Sequence, residues 1–254
     1  LLALTWISYG IVQAQTSDPK LILQKCAEVL KNKALFQYEA THRIKYFDNQ
    51  DTTKSGTYQC TVQKAITDTV LNYYAHLSTP EEERIYDGYN FLLVWHQSKK
   101  ILKDNPSVSG KKFAQNNIKR DFIPSFFYSA TPFKTYLNEA KELKLTDLNW
   151  GKTKVWKVEV LMPTDEEITL LKRVLYIDQQ TYFPLKVEGF AKYQNIQDEY
   201  FELILNKVTS KTAVSGDFTQ FYNYPLAYTE EIFKAPKINY DLLPNGSDFI
   251  SVAG

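Results

Sequence analysis

The side chains best suited to chemistry are His42, His76 and His96, the cysteines Cys26 and Cys60, and two carboxylate runs, Glu81-Glu82-Glu83 and Asp165-Glu166-Glu167. A metal site draws on clustered His, Cys or carboxylate ligands, and no second His or Cys stands near any of the histidines at ligand spacing. The cysteines form no C-x-x-C pair, so there is no local redox motif. No H-E-x-x-H, G-x-S-x-G or phosphate-binding glycine loop is present. Each carboxylate run is expected in a turn, where charge is usually solvated. Lys99, Lys100 and Lys103 make a small basic patch that Asp104 offsets. Asp87 precedes Gly88, and turn geometry accounts for it better than acid–base work. These residues specify no reaction, imply no metal or cofactor, and give no ground for expecting an enzyme.

The elements that would position the histidines are more informative. Ser17-Asp18-Pro19 reads as a helix start, and Ile22, Cys26, Val29 and Leu30 follow at helical spacing to an end near Ala34. Strict alternation then begins. Phe36, Tyr38, Ala40, His42, Ile44 and Tyr46 share one face, with Gln37, Glu39, Thr41, Arg43 and Lys45 on the other. Period two held this long predicts a long strand with one wet face. Tyr58, Cys60 and Val62 mark a second strand, and residues 69–77 a third that carries His76. The Asp87-Gly88 turn leads into an apolar strand through Trp95. Trp95 and His96 are adjacent, so they face opposite ways; with Trp95 toward a concave face, His96 points away. The cysteines fall on apolar faces and read as two buried small hydrophobes, with a disulfide as the minor alternative.

From Ser107 to about Glu142 the period of two is lost. This stretch mixes helix formers with Phe113, Ile118, Phe122, Phe126, Phe127 and Phe133, and Pro124 and Pro132 break it into short pieces. It reads as short helices and loop that must pack on a sheet, since a linker would lack this apolar content. Sheet returns at Leu143, and four later segments read as an antiparallel meander. Thr229 to Lys234 is expected to form one helical turn, and residues 212–254 are otherwise irregular. The order of helix, strands, aromatic insertion, strands and tail predicts a mainly β, α+β domain. Roughly eight to ten strands would form one large curved antiparallel sheet, an unclosed half-barrel, with a few helices covering its concave face.

The 254 residues suffice to bury a sizeable core. Lys plus Arg is 30 and Asp plus Glu is 29, so no global field attracts nucleic acid, and no nucleic-acid partner is expected. The first residues, LLALTWISYGIVQA, are apolar but too short for a transmembrane span. With Val12 and Ala14 before Gln15, they read as the remnant of a secretory signal, against a buried first element as the alternative. The expected division is thus a signal remnant at 1–14, a half-barrel domain at 15–240 and an extended tail or linker at 241–254. The expected location is extracytoplasmic, periplasmic or secreted.

Aromatic content is the stronger signal, with 18 Tyr and 15 Phe against only 9 Gly. Any one of these residues reads equally well as core. Their combination with a curved sheet and an insertion of lid length points to a pocket for a hydrophobic small molecule or lipid. The candidate lining residues are Phe36, Tyr38, Phe91 and Trp95 from the first strands. Phe122, Phe126 and Phe127 come from the insertion, and Trp156 from the later strands.

Two stretches carry a family resemblance: IYDGYNFLLVWHQSKKI, and VWKVEVLMP followed by RVLYIDQQTYFPLKVEGF. The D-G turn leads into an apolar strand with a Trp, and a later strand ends in Asp178, followed by Thr181 and Pro184. Over roughly residues 17–210 this pattern resembles the LolA/LolB superfamily of periplasmic lipoprotein carriers. The resemblance implies an unclosed antiparallel barrel whose concave apolar side holds acyl chains, with Phe113 to Phe133 as the lid. The tail segment DLLPNGSDF is similar to the stretch that enters thioredoxin-like domains in secreted Bacteroidetes-type proteins. That similarity implies a thioredoxin-like domain as a further partner. The competing reading is an interaction or scaffold domain preceding such a reductase domain, its concave face filled by its own helices.

Overall fold

A computed structural model describes residues 18–46, 53–194, 198–213 and 227–233. The signal remnant expected at 1–14 and the tail expected at 241–254 lie outside the described residues.

Helix α1 (Pro19–Lys31) begins where Asp18 accepts a hydrogen bond from the Lys20 amide at 2.9 Å, with Pro19 in the first turn. It buries Ile22, Leu23, Cys26 and Leu30. Its far end is closed by Lys64, whose ammonium donates to the carbonyls of Leu30 and Lys31 at 2.7 and 3.3 Å. Strands β1 (Leu35–Tyr46), β2 (Thr53–Lys64), β3 (Tyr73–Ser78), β4 (Glu82–Tyr86), β5 (Phe91–Trp95) and β6 (Lys100–Asp104) then form a meander.

The insertion supplies three short helices, α2 (Pro106–Ser109), α3 (Lys112–Asn117) and α4 (Lys134–Glu139). Between α3 and α4 lie 3-10 turns at Arg120–Phe122 and Ser125–Phe127. Strands β7 (Glu142–Trp150), β8 (Thr153–Leu161), β9 (Ile168–Asp178), β10 (Pro184–Tyr193) and β11 (Glu199–Lys211) form a second meander. The long strand β1 pairs with β11 on one side and β2 on the other, which welds the two meanders together. A last strand, β12 (Thr229–Ile232), lies parallel to β6. The result is one twelve-stranded sheet with β12 and β7 at its two ends, an unclosed half-barrel.

Alternation along the strands gives the sheet two different faces. The inner face carries the main core, in which Phe36, Tyr38, Ala40, Phe91, Val158 and Leu175 pack together with α1 and the insertion. Burying one such large side chain contributes about 1.5–3 kcal/mol. The outer face of β8–β11 and β1 is a ladder of paired charges. Lys186 sits between Glu188 and Glu202 at 2.7 and 2.6 Å, and Glu202 reaches Arg43 at 3.3 Å. The outer face of β4–β6 instead buries a small satellite cluster of Ile85, Leu92, Val94 and Ile101.

Four local expectations are corrected. Thr229–Ile232 is an edge strand rather than a helical turn, because its backbone continues the ladder from Lys99 to Lys103. Lys100–Asp104 is itself a strand rather than only a basic patch. The third strand starts at Tyr73, not Thr69. The Asp68 carboxylate accepts from the amides of Val70, Leu71 and Asn72 and holds that stretch as a turn, with Asn72 at φ 66°. Glu82 and Glu83 are not solvated turn residues. They stand in β4, where Glu82 accepts from Tyr58 and Arg84, and Glu83 from His76.

Candidate ligand cavity

The insertion seats on the inner face through two aromatic anchors. Phe127 stacks on Phe36 and leans on Tyr38, with centroids 4.3 and 5.0 Å away. Phe122 sits over Tyr58 at 4.5 Å and meets His42 edge-on at 5.4 Å. It fits there because β2 carries Gly56 beneath it, where an added Cβ would come within 3.2 Å of its ring. The buried Tyr38 hydroxyl donates to the Phe122 carbonyl at 3.0 Å, which satisfies both groups out of water. Further along, Arg84 donates to the Asn117 carbonyl and, through Nε and Nη2, to Glu82 at 3.0 Å each. Burial alone would raise the Glu82 carboxyl. The bonds from Arg84 and Tyr58 outweigh that and hold it below the usual range.

Beside this seated part the two layers separate. A cavity of about 450 Å³ opens between the inner face of β1 and β9–β11 and the cover formed by the 3-10 turns and α4. Ile44, Val187, Phe201 and Leu203 form its floor, and Ile123 and Phe126 its roof. His42 and Arg173 supply polar groups from the floor, and Arg120, Asp121 and Glu199 are exposed at its border. Burial pushes the His42 imidazole below its ordinary value of 6.5, against the opposing pull of the Asp121 charge. A second hollow of about 600 Å³ lies outside the cover, lined by Ile66, Tyr128 and Phe133; Ser125, Phe126 and Tyr136 border both spaces.

The glycine at 189 shapes the floor. Gly189 pairs with Arg173 on β9 and with Phe201 on β11. A Cβ at this position would lie 2.0 Å from the Phe201 ring, so only glycine lets the ring lie across β10. There the ring meets the Arg173 guanidinium at 5.1 Å, a cation–π distance.

The eight residues singled out in the sequence occupy four different settings. Phe36, Tyr38 and Phe127 pack on one another, Phe122 packs on Tyr58 and His42, and Phe91 is buried against Phe113 at 5.8 Å. Phe126 reaches the cavity. Trp156 lies against Tyr182 at 5.0 Å, away from it. Trp95 is 37% exposed and lines a separate open hollow of about 570 Å³ with Pro80, Glu82 and Gln97. The cavity residues not singled out for binding are His42, Arg173, Val187, Phe201 and Leu203. The inward parity of His42 was legible from β1. The inward placement of Arg173 was hidden, because arginine on a strand normally reads as the solvent face.

His96 lies on the face opposite Trp95, as adjacent strand residues must. It meets the Tyr228 hydroxyl at 3.0 Å and Glu83 at 3.1 Å, and Glu83 also meets His76 at 2.6 Å. Two histidines distant in sequence thus converge on one carboxylate of the convex face, away from the cavity. Among the described residues no group of His, Cys, Asp or Glu is arranged to hold a metal ion. Cys26 and Cys60 are both free and buried, and no disulfide joins them. No described helix is long and apolar enough to cross a membrane.

Comparison with solved structures returns distant similarities. A LolA superfamily protein from Nitrosomonas europaea is 13% identical over 77% of this chain and 94% of its own, with a TM-score of 0.31. The chain resembles the LolA superfamily. LprF from Mycobacterium bovis is 9% identical over 78% of this chain and 94% of its own, TM-score 0.37. An uncharacterized conserved protein from Thermus thermophilus is 8% identical over 84% and 98%, TM-score 0.39. No family model matches the sequence, and no curated protein does. At such identities and scores no residue role transfers, and the half-barrel stands here on its own strand order and register.

Proposed function

We propose that this chain is an extracytoplasmic binding domain for a hydrophobic ligand, a lipid or an acyl chain, without catalysis of its own. One observation carries the reading: an apolar-walled cavity of about 450 Å³ between the sheet and its aromatic cover. That volume falls in the range of about 300–1,000 Å³ typical of small-ligand sites. Binding would draw on burial of apolar ligand surface, at about 25 cal/mol per Å² hidden. The extracytoplasmic location rests on the apolar start of the sequence, and a thioredoxin-like partner domain on the resemblance of its tail.

A second reading has one observation in its favour. Phe36, Tyr38, Phe122 and Phe127 fill much of the concave face by themselves, as a scaffold domain would require. Native mass spectrometry of the purified protein, before and after organic extraction, separates the two. Co-purifying lipid, or saturable uptake of a fluorescent fatty acid after extraction, supports the binding domain. A clean apo mass with no uptake supports the scaffold.

A further inference from the structure

One charge in the cavity is unmatched. Arg173 stands on the inner face of β9, half-buried, with no carboxylate in ion-pairing reach among the described residues. One Nη donates to the Lys172 carbonyl at 3.2 Å, the side chain shares a hydrogen bond with the Tyr136 hydroxyl, and the guanidinium lies on the Phe201 ring; all three partners are uncharged. Two other half-buried cations on this sheet are paired with carboxylates. Lys186 lies between two glutamates at 2.7 and 2.6 Å, and Arg84 holds Glu82 at 3.0 Å. A cation held in apolar surroundings costs free energy unless an anion compensates it.

The rest of the cavity narrows what that anion is. Arg120, Asp121 and Glu199 border the space but are exposed, so water screens them. The floor on either side of Arg173 is apolar, from Val187 and Phe201 to Leu203 and Ile44. A planar guanidinium offers paired donors that match the oxygens of a carboxylate or a phosphate. Gly189 adds a constructed element, because its missing side chain lets Phe201 meet one face of the guanidinium, while the neutral Tyr136 hydroxyl at its edge leaves the charge uncompensated.

The geometry points to an amphiphile with one hydrocarbon chain and an anionic head, the head on Arg173 and the chain along Ile44, Val187, Leu203 and Phe126. This inference rests on the cavity-binding reading above. A fatty carboxylate and a single-chain phosphate ester share the required chemistry.

The test uses the full chain, stripped of lipid, with a neutral fluorescent probe of hydrophobic sites displaced by palmitate, hexadecyl phosphate or hexadecanol. All are kept below their micelle concentrations. The anions should displace the probe at concentrations at least about tenfold lower than the alcohol, the ratio one charge-assisted contact supplies. The stronger of the two anions identifies the head. Arg173→Gln should erase the preference and leave hexadecanol unchanged, and Arg173→Lys should keep part of it. Equal displacement by acid and alcohol, or an unchanged ratio in Arg173→Gln, overturns the anionic head and leaves the binding domain standing. Failure of probe and all three ligands to bind overturns both. If Arg173→Gln does not fold, the wild-type ratio and its decline with salt decide the matter: a ratio that ignores salt overturns the inference.

Discussion

Phe127 of the insertion and Phe36 of β1 stack with ring centroids 4.3 Å apart and planes 14° apart. This is where the cover is fastened to the sheet, and both side chains are fully buried. Phe127→Ala should cost about 3–5 kcal/mol, the range for a large aromatic removed from a packed core. It should also raise the binding of a dye for exposed apolar surface, since Tyr38 and Phe126 lose the same neighbour. Denaturant unfolding checks the first effect; a loss under about 1 kcal/mol would mean that the cover is not held at this point.

Arg84 fastens the cover at a second place by hydrogen bonds. Arg84→Ala leaves the Asn117 carbonyl and the Glu82 carboxylate short of donors, which should cost about 1–3 kcal/mol. Hydrogen exchange should quicken in α3 and the following 3-10 turn more than in β10 or β11. Uniform loss of protection across the chain would assign Arg84 to global stability instead.

Gly189→Ala puts a methyl group into the Phe201 ring, and overpacking of this kind costs about 1–3 kcal/mol. Phe201→Leu in the same chain should recover most of the loss, because the clash has one named partner. Additive effects in the double-mutant cycle would refute the pairing.

The buried His42 sets a pH dependence. Its folded-state value lies below the ordinary 6.5. The unfolded chain therefore binds the proton more readily, and stability falls as pH drops from about 6.5 through the folded-state value. His42→Gln should flatten that part of the stability curve, while the wild type loses stability on acidification. Parallel curves for the two proteins would show that His42 is not the titrating group.

Cys26 and Cys60 should be inert in the native state. Burial raises both thiols far above their ordinary range, so almost no thiolate is present near neutral pH. A thiol reagent should modify neither cysteine in buffer and both in denaturant. Rapid labelling of Cys60 without denaturant would mean that the cover opens above β2.

Much of this arrangement was written in local pattern. The alternation from Phe36 to Ile44 marked β1 and its inward side, and the loss of period two after Ser107 marked the cover. What the pattern hid depends on partners far along the chain. Glu82 and Glu83 look like solvated charge until Tyr58, Arg84 and His76 are placed beside them. Thr229–Ile232 is too short and too acidic to read as a strand without the edge of β6. The aromatics were legible as apolar, but apolarity is the same for a wall and for a filler. Phe126 reaches the cavity while Phe127, one residue on, is spent on holding the cover down.

Phe126 borders the cavity and the outer hollow alike. Ser125 and Tyr136 border both as well, so the partition between the two spaces is little thicker than a side chain. A smaller residue in place of Phe126 would open the partition and loosen the packing against Phe127 and Phe133 in the same step. The width of the partition and the stability of the cover are thus coupled at Phe126.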